Sequence, residues 1–258
     1  MDVLTNTANR RIGQAMHSYS MLADSDRVLI AVSGGVDSLV LAWILNHWRN
    51  KAPIWYEILA VYIDNGFARQ TAVSVEEQLQ KIGIPYLIER TDFWTKAAVA
   101  ENGKSICYHC ARLRRNRLFS LAEHEGYNKM AFGHHKDDIL ETFFINLLYA
   151  GNLSTMVPKQ KLFAGRMHII RPMAYLEKKD ILVIADAAGI LPVKNPCPQD
   201  KDSKRQEARK IVATLSAMDP RIKSNIFAAL ANIRKDYLLD IQTDNCSSLQ
   251  QVTGNYIP

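Results

Sequence analysis

Val28-Leu-Ile-Ala-Val-Ser-Gly-Gly-Val-Asp-Ser38 is the stretch on which the reading of the chain turns. Five apolar residues, Val28 to Val32, run into a serine and two glycines, and Leu39, Val40, Leu41 and Ala42 then open an apolar helical pattern. That order predicts a buried strand, a tight turn and a helix N-terminus, which aim backbone N–H groups and the positive end of a helix dipole at an anion. Glycine lets the main chain approach a phosphate closely, and Ser33 and Ser38 add hydroxyl donors beside Gly34 and Gly35. The stretch has neither the Gly-Lys-[Ser/Thr] ending of the ATPase P-loop nor the dinucleotide Gly-x-Gly-x-x-Gly. Two flanking serines and Asp37 favour a phosphate site over an ordinary βα turn.

Ser33-Gly34-Gly35-Val36-Asp37-Ser38 resembles the Ser-Gly-Gly-x-Asp-Ser pyrophosphate loop of the N-type ATP pyrophosphatases. The resemblance implies cleavage of ATP between the α and β phosphates and adenylation of a carbonyl oxygen. That superfamily contains ligases, amidotransferases and tRNA sulfur-transfer enzymes, and the loop alone does not choose between them.

Outward from the loop, strands and helices alternate. A helix over about residues 5–22 precedes it, and Asp24-Ser-Asp26 breaks that helix. A helix over 37–50, a strand from Ile58 to Ile63 ending in Asp64, a helix over 71–82 and a strand over 86–89 follow. Residues 91–105 read as a loop with at most one helical turn. A helix from Cys107 to about Glu125, a strand over 129–132, a helix over 139–149, an irregular loop over 152–166, a strand over 167–170 and a helix over 177–188 complete the core. This spacing predicts an α/β fold, a doubly wound, Rossmann-like parallel sheet of five strands with right-handed crossovers. Amphipathic stretches over 203–217 and 220–239 predict a C-terminal helical piece. The expected domains are an N-terminal helix (1–24), a nucleotide domain (25–200), a helical extension (201–240) and a flexible tail (241–258). In such sheets ligands bind beyond the C-terminal strand ends, where Asp64 falls.

With 258 residues, 48% of them hydrophobic and 22% charged, the composition is that of an ordinary globular protein. Thirty-two Lys and Arg against 26 Asp and Glu give a net charge of +6, which leans towards a polyanionic partner. No apolar run nears the ~20 residues of a membrane span. Residues 1–11 lack a signal pattern, so a cytoplasmic location with no membrane partner is expected.

The four cysteines are too few for a disulfide scaffold. Cys107 and Cys110 have the spacing by which one turn of chain directs two thiolates at one metal. Cys197, after the fifth strand and its helix, could return to the same sheet edge. Three thiolates suit a four-iron cluster with one open iron. A closed zinc site would need His109 or His134 as a fourth ligand, and a redox pair or two buried apolar cysteines remain open. Cys107-Tyr-His-Cys-Ala-Arg-Leu-Arg-Arg115, Ala131-Phe-Gly-His-His-Lys-Asp-Asp-Ile-Leu-Glu-Thr142 and Ile170-Arg-Pro172 are similar to motifs of the tRNA 2-thiocytidine synthetase family, from about Arg27 to Arg209. The resemblance implies ATP, Mg²⁺ and a [4Fe-4S] cluster on Cys107, Cys110 and Cys197, used to replace the C2 oxygen of an anticodon-loop cytidine by sulfur. Two departures stand out. The family's loop usually carries lysine where this chain has Val36, so one phosphate-neutralising charge must come from elsewhere. Its second Cys-x-x-Cys is reduced to Cys197, with Asp200 at the other place.

On this resemblance Ala31, Val32, Ile63 and Asp64 face the nucleoside of ATP, and Ser33, Gly34, Gly35 and Ser38 hold pyrophosphate. Asp37, Asp137 and Asp138 form the catalytic carboxylate set, with Asp37 and Asp138 on Mg²⁺. Helix capping is the plain alternative for Asp137 and Asp138. Gly133, His134 and Arg171 join the nucleotide set. Arg112, Arg114, Arg115, Arg117, Lys204 and Arg205, with Lys201, Arg209 and Lys210, are the candidates for tRNA phosphates, against the alternative of solvated helix faces. The expected partners are tRNA, a sulfur donor (sulfide or a cysteine-desulfurase persulfide) and, as an option, a second copy in a homodimer. The competing readings are an adenylating tRNA ligase of the lysidine synthetase type, which needs no cysteines, and a non-catalytic iron–sulfur or zinc protein that binds RNA or carries sulfur.

Overall fold

The computed structural model describes residues 3–66, 69–100, 105–193 and 203–239. Its described elements are α1 (Asn6–Ser18), β1 (Asp26–Val32), α2 (Val36–Arg49), β2 (Tyr56–Asp64), α3 (Arg69–Ile82), β3 (Tyr86–Arg90), α4 (Phe93–Ala98), α5 (Ile106–His124), β4 (Lys129–Ala131), α6 (Lys136–Ala150), β5 (Lys159–Leu162), β6 (Met167–Ile170), α7 (Lys178–Ala187), α8 (Ser203–Met218) and α9 (Ile222–Ala229). They form two compact units, Met1–His135 with Val157–Lys201, and Lys136–Met156 with Asp202–Pro258.

The first unit is built on a sheet of order β3-β2-β1-β4-β6-β5. Five strands are parallel, as expected; the sixth, β5, is antiparallel to β6 and lies in the stretch expected to be an irregular loop. Lys159-Gln-Lys-Leu162 has no alternating apolar pattern because it is an edge strand, and its charges discourage pairing with another chain. β1 is central and buried on both faces, and its side chains alternate between two cores. Val28, Ile30 and Val32 pack with α1, α2, α3 and α7. Leu29 packs with Val61, Ile63, Met130 and the α5 residues Leu118, Leu121 and Ala122 on the other face. Burying one large aliphatic side chain contributes about 1.5–3 kcal/mol, so these interleaved layers carry most of the fold's hydrophobic stabilisation.

The ends are closed by local chemistry. Thr5 caps α1 by accepting from the Ala8 N–H at 3.2 Å. The buried Tyr56 hydroxyl donates to the Leu45 carbonyl at 2.9 Å, tying the start of β2 to α2.

The second unit is helical. Leu140 and Phe144 of α6 are buried with Ala208 and Val212 of α8, and Ile226, Phe227 and Leu230 pack against them. The helix expected over 220–239 stops at Ala229: Ile233, Leu238 and Leu239 are exposed and give a longer helix no face to bury.

Candidate functional site

In the first unit the strand order reverses at β1, with β2 on one side and β4 on the other. The crevice beyond their C-terminal ends is where an open α/β sheet binds its ligand. The Ser33–Ser38 turn enters it from β1, and Gly133, His134 and His135 follow β4.

The turn is shaped by its own serines. Ser38 Oγ donates to the Gly35 carbonyl at 2.9 Å and accepts from the Ser33 N–H at 3.1 Å and from Ser33 Oγ at 3.2 Å. Ser33 Oγ accepts from the Gly35 N–H at 3.4 Å. The hydroxyls expected to donate to phosphate therefore hold the turn's shape, while Gly35 caps the 14-residue α2 with no side-chain hydrogen bond to its first N–H groups. That is an anion-binding helix start. Gly34, at φ +85°, leaves room for Val75, whose Cγ2 a Cβ would meet at 2.9 Å. Its carbonyl accepts from the Val193 N–H at 2.9 Å, so the segment after α7 is fastened to the turn.

Asp37 stands in the first turn of α2, where its charge suits the dipole. Its Oδ1 lies 2.5 Å from Lys178 Nζ and 3.8 Å from Nε2 of the buried His135. A Cβ on Gly133 would stand 2.9 Å from the Asp37 carbonyl carbon and oxygen, so the turn after β4 is packed directly on the start of α2. His134 stacks on Phe132, and its Nδ1 accepts from Arg171 Nε at 3.2 Å. Arg171 is buried and also donates from Nη1 to the Val157 carbonyl at 2.5 Å, so the arginine expected at a phosphate braces the chain entering β5.

Beyond β2, Asp64 is buried and its Oδ1 accepts from the Gly66 N–H at 3.0 Å, while its carbonyl accepts from Thr91 N–H at 2.9 Å and Thr91 Oγ1 at 2.7 Å. Ala31 and Val32 pair with Val61 and Tyr62, so β2 runs two residues beyond the end of β1, to Asp64. Burial, with help from Asp64, pushes the Tyr62 phenol up to about 12.

Cys107 and Cys110 occupy the first turns of α5, capped by Ser105, which accepts from the Tyr108 N–H at 3.2 Å. Residues three apart share a helix face, so both thiols point to one side. Cys107 is exposed; Cys110 is half-buried, with Sγ 3.8 Å from the Phe93 carbonyl just past β3. The Arg114 guanidinium is pulled below its ordinary value by burial, opposed by its attraction to Tyr62 and Cys110. The cysteine pair thus stands at the C-terminal edge of the same sheet as the turn. A helix start and a guanidinium make its surroundings favourable to anionic sulfur. Among the described residues no group of three or more His, Cys, Asp and Glu is arranged to hold a metal ion. Cys197, Asp200, Lys201 and Cys246 lie outside the described residues.

The α5 arginines expected as candidates for tRNA phosphates differ in their surroundings. Arg112 is exposed, Arg114 turns towards Tyr62, and Arg117 Nε donates to Glu89 at 2.5 Å. In the second unit Asp137 pairs with Lys223 and Asp138 with Arg205 at 2.7 Å. The buried Glu141 receives Arg205 at 3.0 Å and Arg209 at 2.9 Å, and Lys204 Nζ lies 5.0 Å from the Tyr149 ring centre.

The family described as the PP-loop domain matches residues 4–215. The tRNA-cytidine(32) 2-sulfurtransferase of Syntrophotalea carbinolica is 38% identical over 244 residues, 93% of each chain. That of Citrifermentans bemidjiense is 34% identical over 242 residues, 93% of this chain and 95% of the relative. The chain belongs to the tRNA-cytidine 2-sulfurtransferase family of PP-loop proteins. The U34-tRNA thiolase NcsA of Methanococcus maripaludis, solved with its [4Fe-4S] cluster, shares the fold of this family member with a TM-score of 0.68 at 22% identity, over 87% of this chain and 77% of that one. The ammonia-dependent NAD synthetase of Campylobacter jejuni shares it at 0.52 and 15%, over 94% and 99%.

Two residues of this family member escaped sequence reasoning. Lys178 lies 141 residues from Asp37 and in no motif. Val193 acts through its main chain. A lysine pair opening a helix was the one available signal for the first; the second had none.

Proposed function

We propose that the chain is an ATP-dependent tRNA sulfurtransferase that adenylates the C2 oxygen of an anticodon-loop cytidine and exchanges that oxygen for sulfur. The observation that carries this reading is that a glycine-lined helix start with no side-chain cap bond and a pair of thiols share one edge of one sheet. Oxide is a poor leaving group; transfer of AMP to the oxygen makes it a good one and releases pyrophosphate. The first N–H groups of α2, with Gly34 and Gly35, receive the separating phosphates in this reading, and their fixed dipoles need no reorganisation during reaction. Asp37 is the carboxylate we assign to Mg²⁺, which prefers one or two carboxylates together with phosphate oxygens. Asp138, paired with Arg205, is the second carboxylate we assign to Mg²⁺, and Asp137, paired with Lys223, completes the acidic set. The turn of Asp64, Asn65 and Gly66 borders the nucleoside end of ATP.

Cys107 and Cys110, on one helix face, suit two of the three thiolates of a [4Fe-4S] cluster, and Cys197 is the third. Bound there, such a cluster would supply sulfur in nucleophilic form to the activated carbon. The tRNA and a sulfur donor are the partners, with the exposed Arg112 offered to RNA phosphates. The test is direct. Protein purified without oxygen, given ATP, sulfide and unmodified tRNA, is expected to yield 2-thiocytidine in the digested nucleosides and to release pyrophosphate. Pyrophosphate release with another product would place the chain among adenylating ligases, and neither product would end the reading.

A further inference from the structure

The phosphate turn brings no cation of its own. From Ser33 to Trp48 the chain carries one carboxylate, Asp37, and neither lysine nor arginine. A polyphosphate set beside that carboxylate needs positive charge at contact distance, and Lys178 stands there, its Nζ 2.5 Å from Asp37 Oδ1.

Two observations set this pair apart from a chance surface contact. Lys178 and Lys179 open α7, against the preference of a helix's first turn for acidic residues. Lys179 is offset locally by Glu177 at 3.2 Å, whereas Lys178 reaches across to α2. The start of α7 is also held firmly: Glu177 and Asp180 form a capping box, and Asp180 Oδ2 receives Arg11 at 2.8 Å. Both side chains of the pair are partly exposed, Lys178 at 42% and Asp37 at 32%, where an ion pair adds little to stability but an incoming phosphate has access.

We propose that Lys178 is the cation of the phosphate turn, delivered from α7 in place of the lysine that the resembling loops carry where this chain has Val36. An ammonium is a compact charge on a flexible stem, so it can stay beside Asp37 and lie within reach of phosphate oxygens at once. The proposal deepens the nucleotide-site reading above and rests on it.

Isothermal titration of the full chain with ATP and with AMP is the test, since nucleotide affinity is read without turnover or a loaded cluster. Lys178→Met is expected to weaken ATP by about 10- to 100-fold, the loss of one charge-assisted contact, and AMP by much less. Lys178→Arg keeps the charge and is expected to stay within a few-fold of the parent. Val36→Lys combined with Lys178→Met is expected to restore ATP affinity. An ATP affinity unchanged in Lys178→Met overturns the proposal while the site stands. Equal losses for ATP and AMP, or an arginine variant as weak as the methionine one, overturn it as well by assigning Lys178 to packing. Should Lys178→Met unfold, Lys178→Gln, alone and combined with Val36→Lys, carries the same comparison. A parent chain that binds no ATP overturns the nucleotide-site reading together with the proposal.

Discussion

Asp37 meets opposing demands: a carboxylate in the first turn of α2 suits the helix dipole, yet it faces the place proposed for phosphates. Lys178 balances its charge in the protein alone, and Mg²⁺ is proposed to do so with nucleotide bound. Asp37→Asn keeps the shape and removes the charge. It is expected to lower pyrophosphate release by about 100-fold, the scale of losing one fixed electrostatic contact in a transition state. A stopped assay for pyrophosphate checks it. Cys110→Ala is expected to abolish thiolated product while leaving the ATP affinity of the chain within about twofold, because the thiol borders Phe93 and Arg114 rather than the turn. Nucleoside mass analysis and titration on one preparation read both. The turn's chemistry was legible because strand, glycines and helix are contiguous in sequence. Lys178 was not, because an ion pair spanning 141 residues leaves no spacing to read.

Among elements, the parallel strands and crossing helices were legible from period and punctuation, and β5 was not, since a polar edge strand has no buried face to imprint on its residues. The end of α9 was missed for the related reason that apolar residues past Leu230 continue a helical period without burying anything. The turn after β2 offers a sharper measurement. Gly66 has φ +90°, and a Cβ there would stand 2.4 Å from the Thr91 carbonyl oxygen; Gly83 has φ +69° and open space around it. Gly83→Ala is expected to cost only the left-handed strain, about 1 kcal/mol. Gly66→Ala adds a clash with main chain, about 2–3 kcal/mol in all. Thermal melting of the two variants separates the terms, and equal shifts would refute the packing account of the β2 turn.

For the whole molecule, the two units rest on different forces. The first is a layered apolar core; the second adds to its smaller core a knot of charge around Glu141, which is 4% exposed. Glu141→Ala removes the acceptor of Arg205 and Arg209 and is expected to cost about 3 kcal/mol. Differential scanning calorimetry checks it, and a loss under 1 kcal/mol would show that the knot is solvated. The same ion pairs were not legible for Arg205, expected as a candidate for tRNA phosphates: sequence shows that a residue is basic, not whether an acid on another helix pairs with it. Gly133 lies directly against the first turn of α2. With no space for even a methyl group between Gly133 and the main chain of Asp37 and Ser38, the turn after β4 and the start of α2 are packed as one piece. Amide deuterium uptake at residues 33–38 and 133–135 is therefore expected to slow in concert as ATP is titrated, following a single saturation curve.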